Sequence, residues 1–142
     1  MAGAEAAKQF TPDSVTRSRP GVSYFPKEKV NASFSKGAML SDGDGDGNYM
    51  VHTSRRDAPG EVEIHERDSD IIYVVKGSAT LISGGTLLDG KKVAENEVRG
   101  TQLNGGEAQT LAIGDVIIVP AGIPHWFREV QPPFLYYTVK VW

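Results

Sequence analysis

Two histidines and two carboxylates are the residues of this chain with chemistry to offer. Glu63 and His65 stand two apart, Asp70 follows shortly after, and His125 comes from a distant part of the chain. Strand residues two apart share a face, so Glu63 and His65 point the same way. Asp70 opens the next apolar run after a tight turn, and its carboxylate can fold back toward the same point. His125 ends the turn Pro120-Ala-Gly-Ile-Pro124, whose two prolines fix the backbone direction. On an inward face such groups must be paired, metal-bound or catalytic, because burial without partners costs on the order of several kcal/mol. Converging, they would offer nitrogen and oxygen but no sulfur to one divalent ion. That set suits Fe(II), Mn(II), Zn(II) or Ni(II), with two imidazoles and two carboxylates leaning toward manganese or iron. The competing reading makes His65 part of a solvated charged hairpin with Glu63, Glu66, Arg67, Asp68 and Asp70, and His125 a satisfied core histidine beside Trp126 and Phe127.

Positioning these residues falls to β structure. From Gly21 onward short apolar runs are punctuated by Gly and Pro, with no helical stripe of three turns or more. The pattern predicts strands over Val22 to Phe25, Ala32 to Ala38, Tyr49 to Arg55, Val62 to Glu66, Ile71 to Val75, Ser78 to Ser83, Ala108 to Ala112, Val116 to Val119, His125 to Val130 and Phe134 to Val141. Many short strands at this spacing indicate a sandwich or barrel. Residues 1–20 read as a flexible tail with at most one short helix, and 21–142 as one domain. Asp42-Gly-Asp-Gly-Asp-Gly47 matches half of a calcium loop, but Thr53 stands where the bidentate glutamate belongs, so an acidic hairpin turn is expected. The Gly-rich stretch from Gly84 to Gly106 reads as a long hairpin, a lid or, by default, a surface loop.

Composition bounds the partners. The 142 residues are 39% hydrophobic and 23% charged, as in a globular protein, and the net charge of -3 disfavours nucleic acid. Arg55-Arg56 and Lys91-Lys92 are doublets expected on solvated surface. Without cysteine, thiolate ligands, thiol catalysis and disulfides are excluded. No secretory signal and no apolar run of the ~20 residues needed to span a bilayer is visible, so no membrane partner is expected and the cytoplasm is the default compartment.

Gly114, Pro120, Gly122 and His125 meet the spacing Gly, five residues, Pro-x-Gly, two residues, His of the second motif of the cupin superfamily. Its closing Asn is replaced by Glu129. The first motif is met by His65 as its second histidine, Asp70 in place of its glutamate and Gly77 as its closing glycine, with Glu63 where the first histidine would stand. The segment from Gly60 to Val141 thus resembles a cupin. The resemblance implies an all-β, double-stranded β-helix or jelly-roll barrel, with Glu63, His65, Asp70 and His125 as ligands of one divalent metal. It implies an enzyme acting on a small oxygenated organic molecule, with oxygenase, isomerase and lyase chemistries all open. The last strand, Phe134 to Val141, is apolar on nearly both faces, so one face is expected to fill the barrel and the other to be covered by another sheet or another subunit, and a homodimer is expected. The rival is a metal-free binding module whose apolar interior, lined by Ile72, Val74, Val116, Ile118 and Phe127, holds a small ligand.

Further polar residues are candidates for the interior. Glu63 could act as a general base if the metal takes three protein ligands. His52 and Ser54 lie on a strand expected beside that of Glu63. Lys140 shares alternation with Tyr136 and Thr138, which would give the last strand a polar inner face, and a buried lysine could serve as acid, base or nucleophile. The preferred expectation keeps the Lys140 stem on a sheet edge with its ammonium in water, and His52 structural.

Overall fold

The computed structural model describes residues 21–45 and 47–142; the expected tail over 1–20 lies outside them. Among the described residues one short helix, α1 (Lys27–Ser33), precedes eleven strands: β1 (Ala38–Ser41), β2 (Tyr49–Arg56), β3 (Val62–His65), β4 (Ser69–Ser83), β5 (Thr86–Leu87), β6 (Lys91–Ala94), β7 (Glu97–Gly100), β8 (Leu103–Asn104), β9 (Glu107–Leu111), β10 (Val116–Val119) and β11 (His125–Val141). Nine of them form one antiparallel sheet. Its path runs β1-β2-β11-β3-β7-β6, and β4 joins through β11, β9 and β10. The sheet curls because its two longest strands each serve two neighbours. The second half of β11 lies between β2 and the first half of β4, and its first half pairs with the second half of β4 and, at His125, with β3. This is the all-β barrel that the resemblance implies.

Several expected boundaries shift for local reasons. Val22 to Phe25 has no regular structure, and Ala32 to Ala38 is the end of α1 and a turn. Ser33 and Thr53 explain that turn: both are buried, their hydroxyls bond at 2.9 Å, and Thr53 Oγ1 also accepts from the Ala38 N–H at 3.1 Å. Thr53, the missing glutamate of the calcium reading, is therefore a tie between helix and sheet, and Gly43–Gly45 make a 3-10 turn from β1 to β2.

The two strands expected on either side of Gly77 are one. Gly77 adopts φ +77°, and a β-carbon there would press on the Pro133 and Gln131 carbonyls. The glycine marks a bend at which the register with β11 slips, not a chain reversal.

The core fills one end of the barrel. Val74, Ala79, Leu81, Leu111, Val119, Phe127 and Phe134 pack together, with Ile72 and Tyr136 at the boundary with the other end. The β10 run Val-Ile-Ile-Val has the opposite phase to that expected: Val119 is buried, whereas Val116 and Ile118 are 59% and 61% exposed on the outer surface. No helix among the described residues is long and apolar enough to cross a membrane.

Candidate functional site

The other end of the barrel is a polar cavity of about 230 Å³. Its wall is built entirely by strand alternation. His52, Ser54 and Arg56 come from β2, Glu63 and His65 from β3, Asp70 and Ile72 from β4, Glu97 and Arg99 from β7, and His125, Phe127, Tyr136, Thr138 and Lys140 from β11. Each set steps by two along its strand, except that β11 gives two such runs, His125 with Phe127 and Tyr136 with Thr138 and Lys140, separated by register shifts, so each strand segment turns one face to the same space.

Register then brings partners together. His125 sits directly opposite Glu63, Glu63 opposite Arg99, His65 opposite Glu97, and Lys140 opposite Asp70. Turn chemistry holds the segments in line. Gly122, at φ +85°, lets the turn before β11 fold so that its N–H donates to the His65 carbonyl at 2.8 Å. The Ala121 N–H donates to Ser69 Oγ at 3.2 Å, joining the same turn to the start of β4.

The two imidazoles, remote in sequence, have ring centroids 5.1 Å apart. One potential ligand atom each from Glu63, His65 and His125 lies within 4.8 Å of the others, close enough to share one ion. Asp70 adjoins this trio: its Oδ2 is 3.4 Å from His65 Nε2 and 3.7 Å from His125 Nε2, while its Oδ1 accepts from Lys140 Nζ at 2.9 Å. His125 Nδ1 lies 3.0 Å from the Ile123 carbonyl, which can only accept. The proton is thereby fixed on Nδ1 and the Nε2 lone pair is left toward the carboxylates, the tautomer a metal-binding imidazole needs. The donor set of imidazole nitrogen and carboxylate oxygen fits a borderline divalent cation.

Electrostatics agree with a site ready for a cation. Burial would push the Glu63 carboxyl up, but contact with His65 and the guanidiniums of Arg56 and Arg99 outweigh it and hold the pKa at about 2. Burial lowers the pKa of His125, against the Ile123 hydrogen bond and the charge of Asp70, so the ring stays neutral and able to ligate. Burial and then Lys140 lower that of His52, whose Nε2 is buried without a partner. Burial also raises the Tyr136 hydroxyl, opposed by Arg56.

The polar candidates from the sequence, Glu63, His65, Asp70, His125, His52, Ser54 and Lys140, all line this cavity, and two other expectations need correction. Lys140 is not a sheet-edge side chain; it faces inward and is 18% exposed, held by Asp70. Arg55 and Arg56 are not both solvated surface. Arg55 pairs outside with Asp57, whereas Arg56 points into the cavity in step with His52 and Ser54. Glu97 and Arg99 were not foreseen. The stretch from Gly84 to Gly106 is the long hairpin among the alternatives rather than the default loop: β5 pairs with β8 and β6 with β7, and β7 adds to β3 and so delivers both residues. The apolar interior proposed for a binding module also fails at its lining: Ile72 and Phe127 reach the cavity, Val74 lies in the core, and Val116 and Ile118 face outward.

A family model for the cupins matches residues 46–141, and this chain belongs to the cupin family. No curated protein matches it. Among solved structures it is similar to KdgF from Halomonas sp., at TM-score 0.52 and 18% identity over 74% of this chain and 77% of that one. It is also similar to the DMSP lyase DddQ from Ruegeria pomeroyi, at TM-score 0.52 and 16% identity, covering 75% of this chain but only 46% of the other. A Neisseria meningitidis protein aligns over 85% of this chain and all (100%) of its own, at TM-score 0.56 and 11% identity. At these identities the likeness speaks for the fold.

Proposed function

We propose that this cupin is a mononuclear metal-dependent enzyme acting on a small oxygenated organic molecule. The observation that carries the reading is the convergence of Glu63, His65 and His125 ligand atoms within 4.8 Å at a cavity wall. Asp70 Oδ2, beside both imidazoles, is the fourth donor. Fe(II), Mn(II), Zn(II) and Ni(II) all suit this set, and a bound ion would polarise a substrate oxygen as a Lewis acid. The protein's own groups do the rest. Ile123 holds the proton of His125 on Nδ1, Lys140 fixes one oxygen of Asp70 and leaves the other toward the histidines, and His52 offers an uncommitted nitrogen to the bound molecule.

The test is metal content. Protein purified without chelator and soaked with each of the four ions should carry about one ion per chain. Replacing His125 or Glu63 should abolish retention. A wild-type protein with no stoichiometric metal would sink the proposal and leave a binding cavity.

A second copy of the chain is proposed to cover the outer face where Tyr73 and Val116 pair across β4 and β10, with Ile118 beside them. These side chains are 45%, 59% and 61% exposed and adjoin one another on the sheet, the kind of contiguous apolar surface that marks an interaction site. Light scattering should report a dimer that Ile118→Asp converts to monomer; a monomeric wild type refutes the pairing.

A further inference from the structure

The three basic side chains of the cavity are not equivalent. Lys140 is held by Asp70 at 2.9 Å, and Arg99 is held by Glu97, whose Oε2 accepts from Nε at 2.7 Å and lies 2.6 Å from Nη2. Arg56 has only Glu63, at 3.4 Å, the carboxylate that the proposed function assigns to the ion. Glu63, Asp70 and Glu97 together balance Arg56, Arg99 and Lys140 among the lining residues. A divalent cation added to neutral imidazoles would leave the cavity with an excess of two positive charges.

Arg56 is also seated in advance. Its Nε donates to the Tyr136 hydroxyl at 3.1 Å and its guanidinium carbon lies 4.9 Å from the centre of the Phe127 ring. Its Nη1 occupies the space a β-carbon at position 60 would need, and Gly60 is itself pinned where its carbonyl accepts from Trp126 Nε1 at 2.9 Å. That Nη1 has no acceptor among the described residues. A planar guanidinium fixed on several sides, with N–H groups to spare at the cavity wall, is the arrangement that recognises a carboxylate.

We infer that the substrate bears a carboxylate that Arg56 binds, and that it is small enough for a cavity of about 230 Å³. The molecule is a small organic acid, anchored at Arg56 and presenting a second oxygen toward the histidines. The charge excess rests on the metal reading; the seat of Arg56 does not.

Pyruvate and its neutral amide, pyruvamide, separate the possibilities when titrated calorimetrically into metal-soaked and metal-free protein. Pyruvate should bind wild-type protein on the order of tenfold more tightly than pyruvamide, the scale of a lost charge-assisted hydrogen bond. Arg56→Gln should abolish that preference while metal content stays as in wild type. Should this variant not fold, phenylglyoxal modification of wild-type protein, mapped by peptide mass, gives the same answer: pyruvate should protect Arg56 and pyruvamide should not.

Equal binding of acid and amide, no pyruvate binding at all, or an Arg56→Gln protein that keeps the preference would each overturn the inference. The two readings fail separately. Metal bound but pyruvate indifferent to Arg56 removes the carboxylate site alone. Pyruvate held through Arg56 by a protein that takes up no metal removes the metal alone.

Discussion

The two ends of the barrel are built from the same strands and differ in almost everything else. Along β4, Asp70 faces the cavity, whereas Val74, Ala79 and Leu81 fill the closed end. Along β11, Lys140 and Thr138 face the cavity while Phe134 is wholly buried. Within each half of these strands alternate residues point inward, and the phase changes only at the bend near Gly77 and the register shifts opposite it in β11, so the two ends differ chiefly in side-chain chemistry. At the closed end dispersion and burial of apolar surface stabilise the fold. At the open end each inward polar group needs an assigned partner, and those assignments pre-arrange the site. Stability and chemistry are therefore separable by position along a strand, and substitutions at the two ends should behave differently.

The largest effect should come from the closed end. Phe134 is 0% exposed and packs against Phe127 and Tyr136 at ring centroid distances of 5.4 and 4.9 Å. Phe134→Ala should cost about 3–5 kcal/mol in urea unfolding, and below its melting temperature the protein should still retain metal. A cost under about 1 kcal/mol would mean that the core is not where the stability lies.

Next is the ion pair that joins the two regimes. Asp70 and Lys140 side chains are 5% and 18% exposed and lie directly opposite on adjacent strands. Lys140→Met leaves a buried carboxylate without its cation, a loss of about 3 kcal/mol, whereas adding Asp70→Asn should return part of it. If the double variant is no more stable than the single one, the pair is not the reason for the loss.

How much of this was legible in sequence follows the same division. The segment from Gly114 to His125 declares itself, because its turns need glycine at φ +92° and +85° and its prolines fix the exit direction; these are local signals. Glu63 with His65, and Tyr136 with Thr138 and Lys140, are legible from alternation alone. What was not legible depended on phase or on distant pairing. Four consecutive apolar residues, Val116 to Val119, carry no mark of which pair faces inward. Arg55 and Arg56 are chemically identical, and only the register of β2 against β11 sends one inward. Glu97 and Arg99 reach the cavity because β7 pairs with β3 across a stretch of chain that reads as loop. Lys140 looked like an edge residue because its partner, Asp70, stands opposite it only once β4 and β11 have paired.

At the open end a single ligand substitution should be mild for the fold and decisive for the metal. His125→Asn removes a neutral buried ring that has one backbone partner. In chelated protein it should cost about 1 kcal/mol, the ordinary cost of a point change. In metal-soaked protein it should abolish both ion retention and the stabilisation that binding confers. Equal metal content in variant and wild type would place the ion elsewhere.

The smallest effect concerns acid sensitivity, and it tests whether the open end carries a stability cost of its own. Burial, then Lys140, lower the pKa of His52 below 6.5, while Asp70 and Asp68 oppose them. Below that value the unfolded chain takes up a proton that the folded cavity refuses, so this contribution is complete above about pH 6.5 and declines as the pH falls. His125, also lowered, acts with the same sign. Each histidine can contribute a slope of at most about 1.4 kcal/mol per pH unit. Chelated His52→Gln should therefore lose less stability than wild type between pH 7 and pH 5, with the remaining slope left to His125. Superimposable melting curves across that range would show that His52 takes its proton as readily in the folded barrel as outside it, and that the unpartnered nitrogen exacts no cost.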